Sequence, residues 1–173
     1  MSVLIGLGCV SYRVAIYIAN RPSIDHYPQL ATLQALAPGE LAHIVAHTSN
    51  HWRKAFNVYA KILCDLHWYD EALYASWQDY RDQQLLQHAS RVALLFSPPD
   101  LSHSHCVHII AGKTYAQALA LPIPFDWLNR DFAINREHRV IVSPYLDYRQ
   151  LSNARIEYLV SLVNTLMPSE SKV

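Results

Sequence analysis

Four short apolar runs constrain this chain more than any other feature. They are VAIYIA (residues 14–19), RVALLF (91–96), VHIIA (107–111) and VIV (140–142). Each is rich in β-branched, aliphatic or aromatic residues, and each stops at a glycine, a proline or a small polar residue. A near-continuous apolar run of this length reads as a strand buried on both faces, the habit of parallel sheets.

Helical patterns separate the runs. Residues 28–37 predict a short helix with Leu30, Leu33, Leu36 and Ala37 on one face, ended by Pro38-Gly39. Residues 41–46 fit strand or helix equally. Asn50 reads as an N-cap, followed by the stripe Phe56, Tyr59, Ala60 and Leu63. A second helix is expected over residues 70–89, with Leu73, Trp77, Tyr80 and Gln84 at helical spacing. Gly112 turns the third strand into the helix KTYAQALAL, ended by Pro122 and Pro124. The last helix is expected over residues 151–167.

Strands alternating with helices predict an α/β fold. The expected architecture is a three-layer α/β/α sandwich around a mainly parallel sheet of four or five strands. A chain of 173 residues suits one such domain with a real core. Residues 1–13 read as a short leader or an extra strand, and 168–173 as a flexible tail.

Composition narrows the function classes. Hydrophobic residues make up 51% and charged residues 16%, which is a compact composition and not a disordered one. Lys plus Arg equals Asp plus Glu at 14 each, so a strongly basic nucleic-acid binder is not indicated, although a local basic patch is compatible. The three cysteines, Cys9, Cys64 and Cys106, are odd in number and form no CxxC pair. They read as free thiols of a reducing cytoplasm. The apolar start lacks a preceding positive charge and meets Arg13, so no membrane partner is expected.

Open parallel sheets bind ligands beyond the carboxyl ends of their strands. Those ends here are Asn20-Arg21-Pro22-Ser23, Ser97-Pro98-Pro99-Asp100, Gly112-Lys113-Thr114 and Ser143-Pro144-Tyr145. The last continues into a dense polar stretch that includes Asp147, Tyr148, Arg149 and Gln150.

In this order the strand ends resemble the uracil-DNA glycosylase superfamily. VHIIAGKTYAQALAL resembles that family's strand–Gly–helix segment, with Gly112 at the glycine. RVIVSPYLDYR is similar to its last strand, His-Pro-Ser loop and trailing arginine, with Pro144 and Arg149 in the matching positions. VAIYIANRPS is similar to the first strand and its GEAPG-like loop, with Pro22 at the proline. NHWRKAFNVYAKIL resembles the helix after the family's Ala-Gly segment. The resemblance covers most of residues 14–167. It implies a nucleobase or nucleic-acid partner and hydrolysis of an N-glycosidic bond. The family's first loop handles the attacking water and its last loop supplies a histidine that stabilises the leaving base.

The chain departs from the family at both places. The first loop has no carboxylate, and Ser143 and Tyr145 stand where the family has His and Ser. The expectation is therefore a divergent glycosylase-like protein that binds a nucleobase, with base excision lost or altered. Asp147 and Asn20 are the candidate catalytic residues. Arg21, Ser143, Tyr145, Arg149 and Gly112 are the candidate ligand-binding ones. No cofactor is expected. The alternative is a non-enzymatic interaction protein, such as a homodimer, that kept only the scaffold.

Other features read as structure. HSHCVH packs His103, His105, Cys106 and His108 together, but such tracts are compositional evidence only, and a loop entering a buried strand is the expectation. His43, His47 and His51 recur every four residues, but Ser49-Asn50 between them looks like a helix start. AGKT lacks the upstream glycine of a phosphate loop. The aromatic series Trp68, Tyr69, Tyr74, Trp77 and Tyr80 fits core packing or a stacking surface. Arg53-Lys54 fits a phosphate contact or a solvated face.

Overall fold

The computed structural model describes residues 3–168; most of the expected tail, residues 169–173, lies outside them. β1 (Gly6–Gly8) and β2 (Val14–Tyr17) come first. A 3-10 turn at Tyr27–Gln29 leads to β3 (Leu33–Gln34), followed by α1 (Glu40–His47), α2 (Asn50–Asp65) and α3 (Trp77–Gln83). β4 (Val92–Leu95) and β5 (Val107–Ala111) precede α4 (Lys113–Leu119). Two short strands, β6 (Asp126–Trp127) and β7 (Ala133–Asn135), run into β8 (Val140–Ser143), and α5 (Asn153–Leu166) follows.

The protein is an α/β fold around one mixed, mostly parallel sheet, ordered β3-β1-β4-β2-β5-β8-β7-β6. The four predicted strands are its centre, and β4, β2, β5 and β8 pair in parallel. Every residue of these four strands is buried. Val14, Ile16, Val92, Leu94 and Ile109 belong to the core that includes Phe56, Tyr59 and Leu63 of α2 and Ile156 and Leu159 of α5. On the opposite face, Tyr17 and Leu95 pack with Tyr12 and Cys106, while Ile110, Val140 and Val142 lie under α4 and the segment after it. The runs lack a polar side because neither face meets water.

The apolar start is an extra strand. β1 lies antiparallel on β4, with Gly8 opposite Ala93. A Cβ at Gly6 would collide with the Leu94 carbonyl oxygen, and one at Gly8 with the Val92 carbonyl oxygen. Gly8 also holds φ 135°, a conformation that side chains disfavour.

Several expectations are corrected. The sheet has eight strands, not four or five, because short strands extend the parallel core on both sides. Residues 28–37 form no α-helix; the 3-10 turn covers residues 28 and 29 alone of that span. Leu30 and Leu36 join the core of one sheet face while Leu33 packs on the other, a split that a single helical stripe does not make. β3 pairs instead with β1, in the register Gly6↔Leu33. The helix expected over 70–89 shrinks to α3. Asp70 Oδ1 accepts from the Ala72 N–H, Ser76 Oγ caps the Asp79 N–H, and Leu86 takes φ 61°. Local side-chain bonds outcompete the helix on its N-terminal side, and Leu73, expected on the buried stripe, is 70% exposed. Ser49 is the N-cap of α2; Asn50 is its first residue, and its Oδ1 accepts from Arg53 Nε at 2.7 Å. Residues 41–46, ambiguous in sequence, are helical within α1.

Gly8→Ala should destabilise the fold by about 1–3 kcal/mol, the usual range for overpacking. At roughly 2–4 °C per kcal/mol for a domain of this size, a melting curve will register it. An unchanged melting temperature would mean that β1 does not lie against β4.

Candidate functional site

A cavity of about 630 Å³ opens at the carboxyl ends of the central strands. β2 continues into Ala19, β5 ends in Ala111 and Gly112, and β8 ends in Ser143, Pro144 and Tyr145; all of these line it. The chain passes from β2 to β4 on one side and then to β5 on the other. The strand order therefore reverses between β2 and β5, the position at which open α/β sheets leave a crevice.

Gly112 joins β5 to α4 with φ 104° and ψ 135°. Its N–H donates to the Ser143 carbonyl at 2.8 Å, which ties two strand ends together. A Cβ there would touch only Tyr145 Cδ1, at 3.7 Å, so glycine is favoured by the backbone angle and not by lack of room. Ser143 is fully buried, and its hydroxyl donates to the Pro144 carbonyl at 2.9 Å.

Tyr145 carries the most chemistry among the expected residues. Burial pushes its phenol up to about 12, so the hydroxyl keeps its proton at neutral pH. Asn20 Nδ2 donates to it at 3.4 Å, and His51 Nε2 lies 2.9 Å away. The His51 and Tyr145 rings also stack, with centroids 5.3 Å apart. Burial lowers the His51 pKa, opposed by Asp147 and assisted by Lys54. A neutral His51 accepts the phenolic proton at Nε2, and the phenolic oxygen retains a lone pair.

The other expected residues lie off the cavity lining. Arg21 Nη1 donates to the carbonyls of Tyr27, Pro28 and Leu30, and its guanidinium sits 5.7 Å from the Phe96 ring centroid. It ties the loop after β2. Asp147 Oδ1 accepts from the Arg149 N–H at 2.8 Å, so Asp147 organises the turn after β8. Arg149 is exposed, with its guanidinium 5.9 Å from the Tyr148 ring centroid.

Three cations also line the cavity. Lys113 opens α4, Arg130 sits in the turn between β6 and β7, and Arg155 projects from α5. Asn129 Oδ1 builds that turn by accepting the N–H groups of Asp131 and Phe132. Arg155 pairs with Asp131 at 3.3 Å and donates to the Gln150 carbonyl at 2.6 Å. Lys113 Nζ lies 4.8 Å from the Trp127 ring centroid. Lys113 belonged to a recognised strand end. Arg130, Asp131 and Arg155 did not, and no local motif marks them; His51 stood out only as the last of the histidines at 43, 47 and 51.

The last histidine of the HSHCVH tract enters the core. His108 is fully buried, with Nδ1 2.6 Å from the Tyr17 hydroxyl and Nε2 3.3 Å from Cys106 Sγ. Among the described residues no group of three His, Cys, Asp or Glu is arranged to hold a metal ion. Cys9 and Cys106 are buried free thiols, and Cys64 is a half-buried one. No helix among the described residues is long and apolar enough to cross a membrane.

The family model described as a family of unknown function, DUF6942, matches residues 5–164. The chain belongs to the DUF6942 family. The matched span takes in all eight strands and every residue of the cavity lining named above. No curated protein and no solved structure matches the chain.

Two outcomes check this geometry. His51 should titrate below its ordinary 6.5 in nitrogen-15 NMR, and Tyr145→Phe should raise that value by removing the donor to Nε2. An unmoved His51 pKa would dissolve the pair. Burial lowers His108 from 6.5 to about 4. The unfolded chain then binds the proton first as pH falls, so stability is lost from about 6.5 downward. The loss should reach on the order of 3 kcal/mol near pH 4. Urea unfolding across this range should show it, and His108→Gln should flatten the slope.

Proposed function

We propose that the strand-end cavity binds a planar heterocycle of the nucleobase kind, on a three-layer α/β/α scaffold like that of the uracil-DNA glycosylases. The observation that carries this reading is the cavity's position at the point where the strand order reverses. Its volume of about 630 Å³ is in the range of small-molecule sites. The Tyr145 ring lines it, backed by the stacked His51 ring, and offers a surface for a flat ligand. Asn20 holds the phenol from the β2 side.

Binding is favoured over base excision. The carboxylate that lines the cavity, Asp131, is paired with Arg155. Asp147 is engaged by its own turn. Ser143, at the position where the resemblance would put a histidine, gives its proton to a backbone carbonyl. No positioned base for an attacking water emerges from these contacts.

Isothermal titration with uracil, thymine and adenine tests the reading. At least one should bind, and Tyr145→Ala should weaken it roughly 5- to 150-fold, the ~1–3 kcal/mol of a base–aromatic stack. A uracil-containing single-stranded oligonucleotide should release no base. Absence of heterocycle binding at millimolar concentration would overturn the proposal, and base release would restore the excision chemistry.

A second reading, an interaction protein without a ligand, rests on the terminal strand β6. Trp127 is 45% exposed there and the adjoining Leu128 40%. Light scattering decides it: a homodimer that Trp127→Ser converts to a monomer would favour this reading.

A further inference from the structure

We infer that the ligand of the strand-end cavity carries a phosphate, held by Lys113, Arg130 and Arg155. The inference deepens the heterocycle reading and rests on it only for the ligand's other end. The three side chains arrive from three separate elements and line the same space. A chain with 14 basic and 14 acidic residues has no general excess of positive charge to scatter there. Among the described residues the lining contains one carboxylate against these three cations, and that carboxylate, Asp131, lies 3.3 Å from Arg155.

Lys113 and Arg130 have no carboxylate partner among the described residues. The face of Trp127 attracts the Lys113 ammonium but does not neutralise it. Arg130 is exposed, and among the described residues it makes no ion pair. Like charges gathered around a concavity repel one another and concentrate anions. Guanidinium groups match a phosphate's oxygens through paired N–H donors, and an ammonium serves it as a point charge. Three cationic donors lining one cavity from different elements suit a tetrahedral group with several oxygens.

The lining is also mixed in chemistry: Tyr145, Tyr115, Ala19 and Pro144 supply aromatic and apolar surface, and the cations come from α4, α5 and the β6–β7 turn. A ligand with a flat apolar end and a phosphate at the other matches both. A nucleoside monophosphate is the simplest molecule of that description.

Titration of the full chain with inorganic phosphate, uridine, uridine monophosphate and a short single-stranded thymidine oligonucleotide tests this. The monophosphate should bind at least about tenfold tighter than uridine, through charge-assisted hydrogen bonds that uridine cannot make. Its affinity should fall with salt, and Arg130→Ala should reduce that salt slope by about one charge. Arg130→Ala should cost the monophosphate far more than uridine, and Arg130→Lys should restore part of the loss. Matching melting curves will show that the exposed substitution leaves the fold intact.

Equal binding of uridine and its monophosphate would overturn the phosphate inference and leave the heterocycle reading standing. Binding of phosphate without uridine would do the reverse. Failure of all four probes would remove both. Binding of the oligonucleotide alone would overturn the small-ligand phosphate site and point to nucleic acid.

Discussion

β2 lies at the centre of the protein with a parallel neighbour on each side, and the rest of the architecture depends on that pairing. The register sets Tyr17 opposite both Leu95 and Ile110, and Ala111 opposite Ser143. The strands therefore stop at one common edge. Burial on both faces holds this arrangement, since a one-residue slip would send each strand's side chains to the wrong layer. Gly112 and Ser143 meet through a backbone hydrogen bond because of it. The cavity follows from the same alignment and from the reversal of strand order beside β2.

Around this edge the polar residues divide into two kinds of work. Arg21, Asp147 and Asn129 spend their hydrogen-bonding capacity on loop backbone. They make the loops that surround the cavity. Tyr145, His51, Lys113, Arg130 and Arg155 retain capacity that the fold does not consume. A polar residue in a strand-end loop is thus no guide to function until its partners are known. Asp147 illustrates this, as a carboxylate in the most polar loop that serves the turn.

The same distinction explains how much was legible in the sequence. The central strands were readable because burial on both faces leaves an unbroken apolar run. The strand ends were readable as the edge where a cavity opens, and Gly112, Ser143, Tyr145 and Asn20 lie at or beside it. The leucines over residues 30–36 misled because their spacing fits a helix while they serve opposite faces of a sheet. β6 and β7 escaped notice because strands of two and three residues carry no periodicity. Arg130, Asp131 and Arg155 were invisible as a group because a turn and a distant helix bring them together.

Alone, the sequence determined the α/β class, the central parallel strands and the edge of the sheet at which the cavity opens. These depend on local apolar patterning, which burial writes directly into neighbouring residues. The tertiary structure decided which polar groups remain available at that edge. It turned Arg21 and Asp147 toward the backbone, set His51 against Tyr145 and gathered three cations on one cavity. Such assignments depend on pairings between residues far apart in the chain, and spacing along the chain does not encode them.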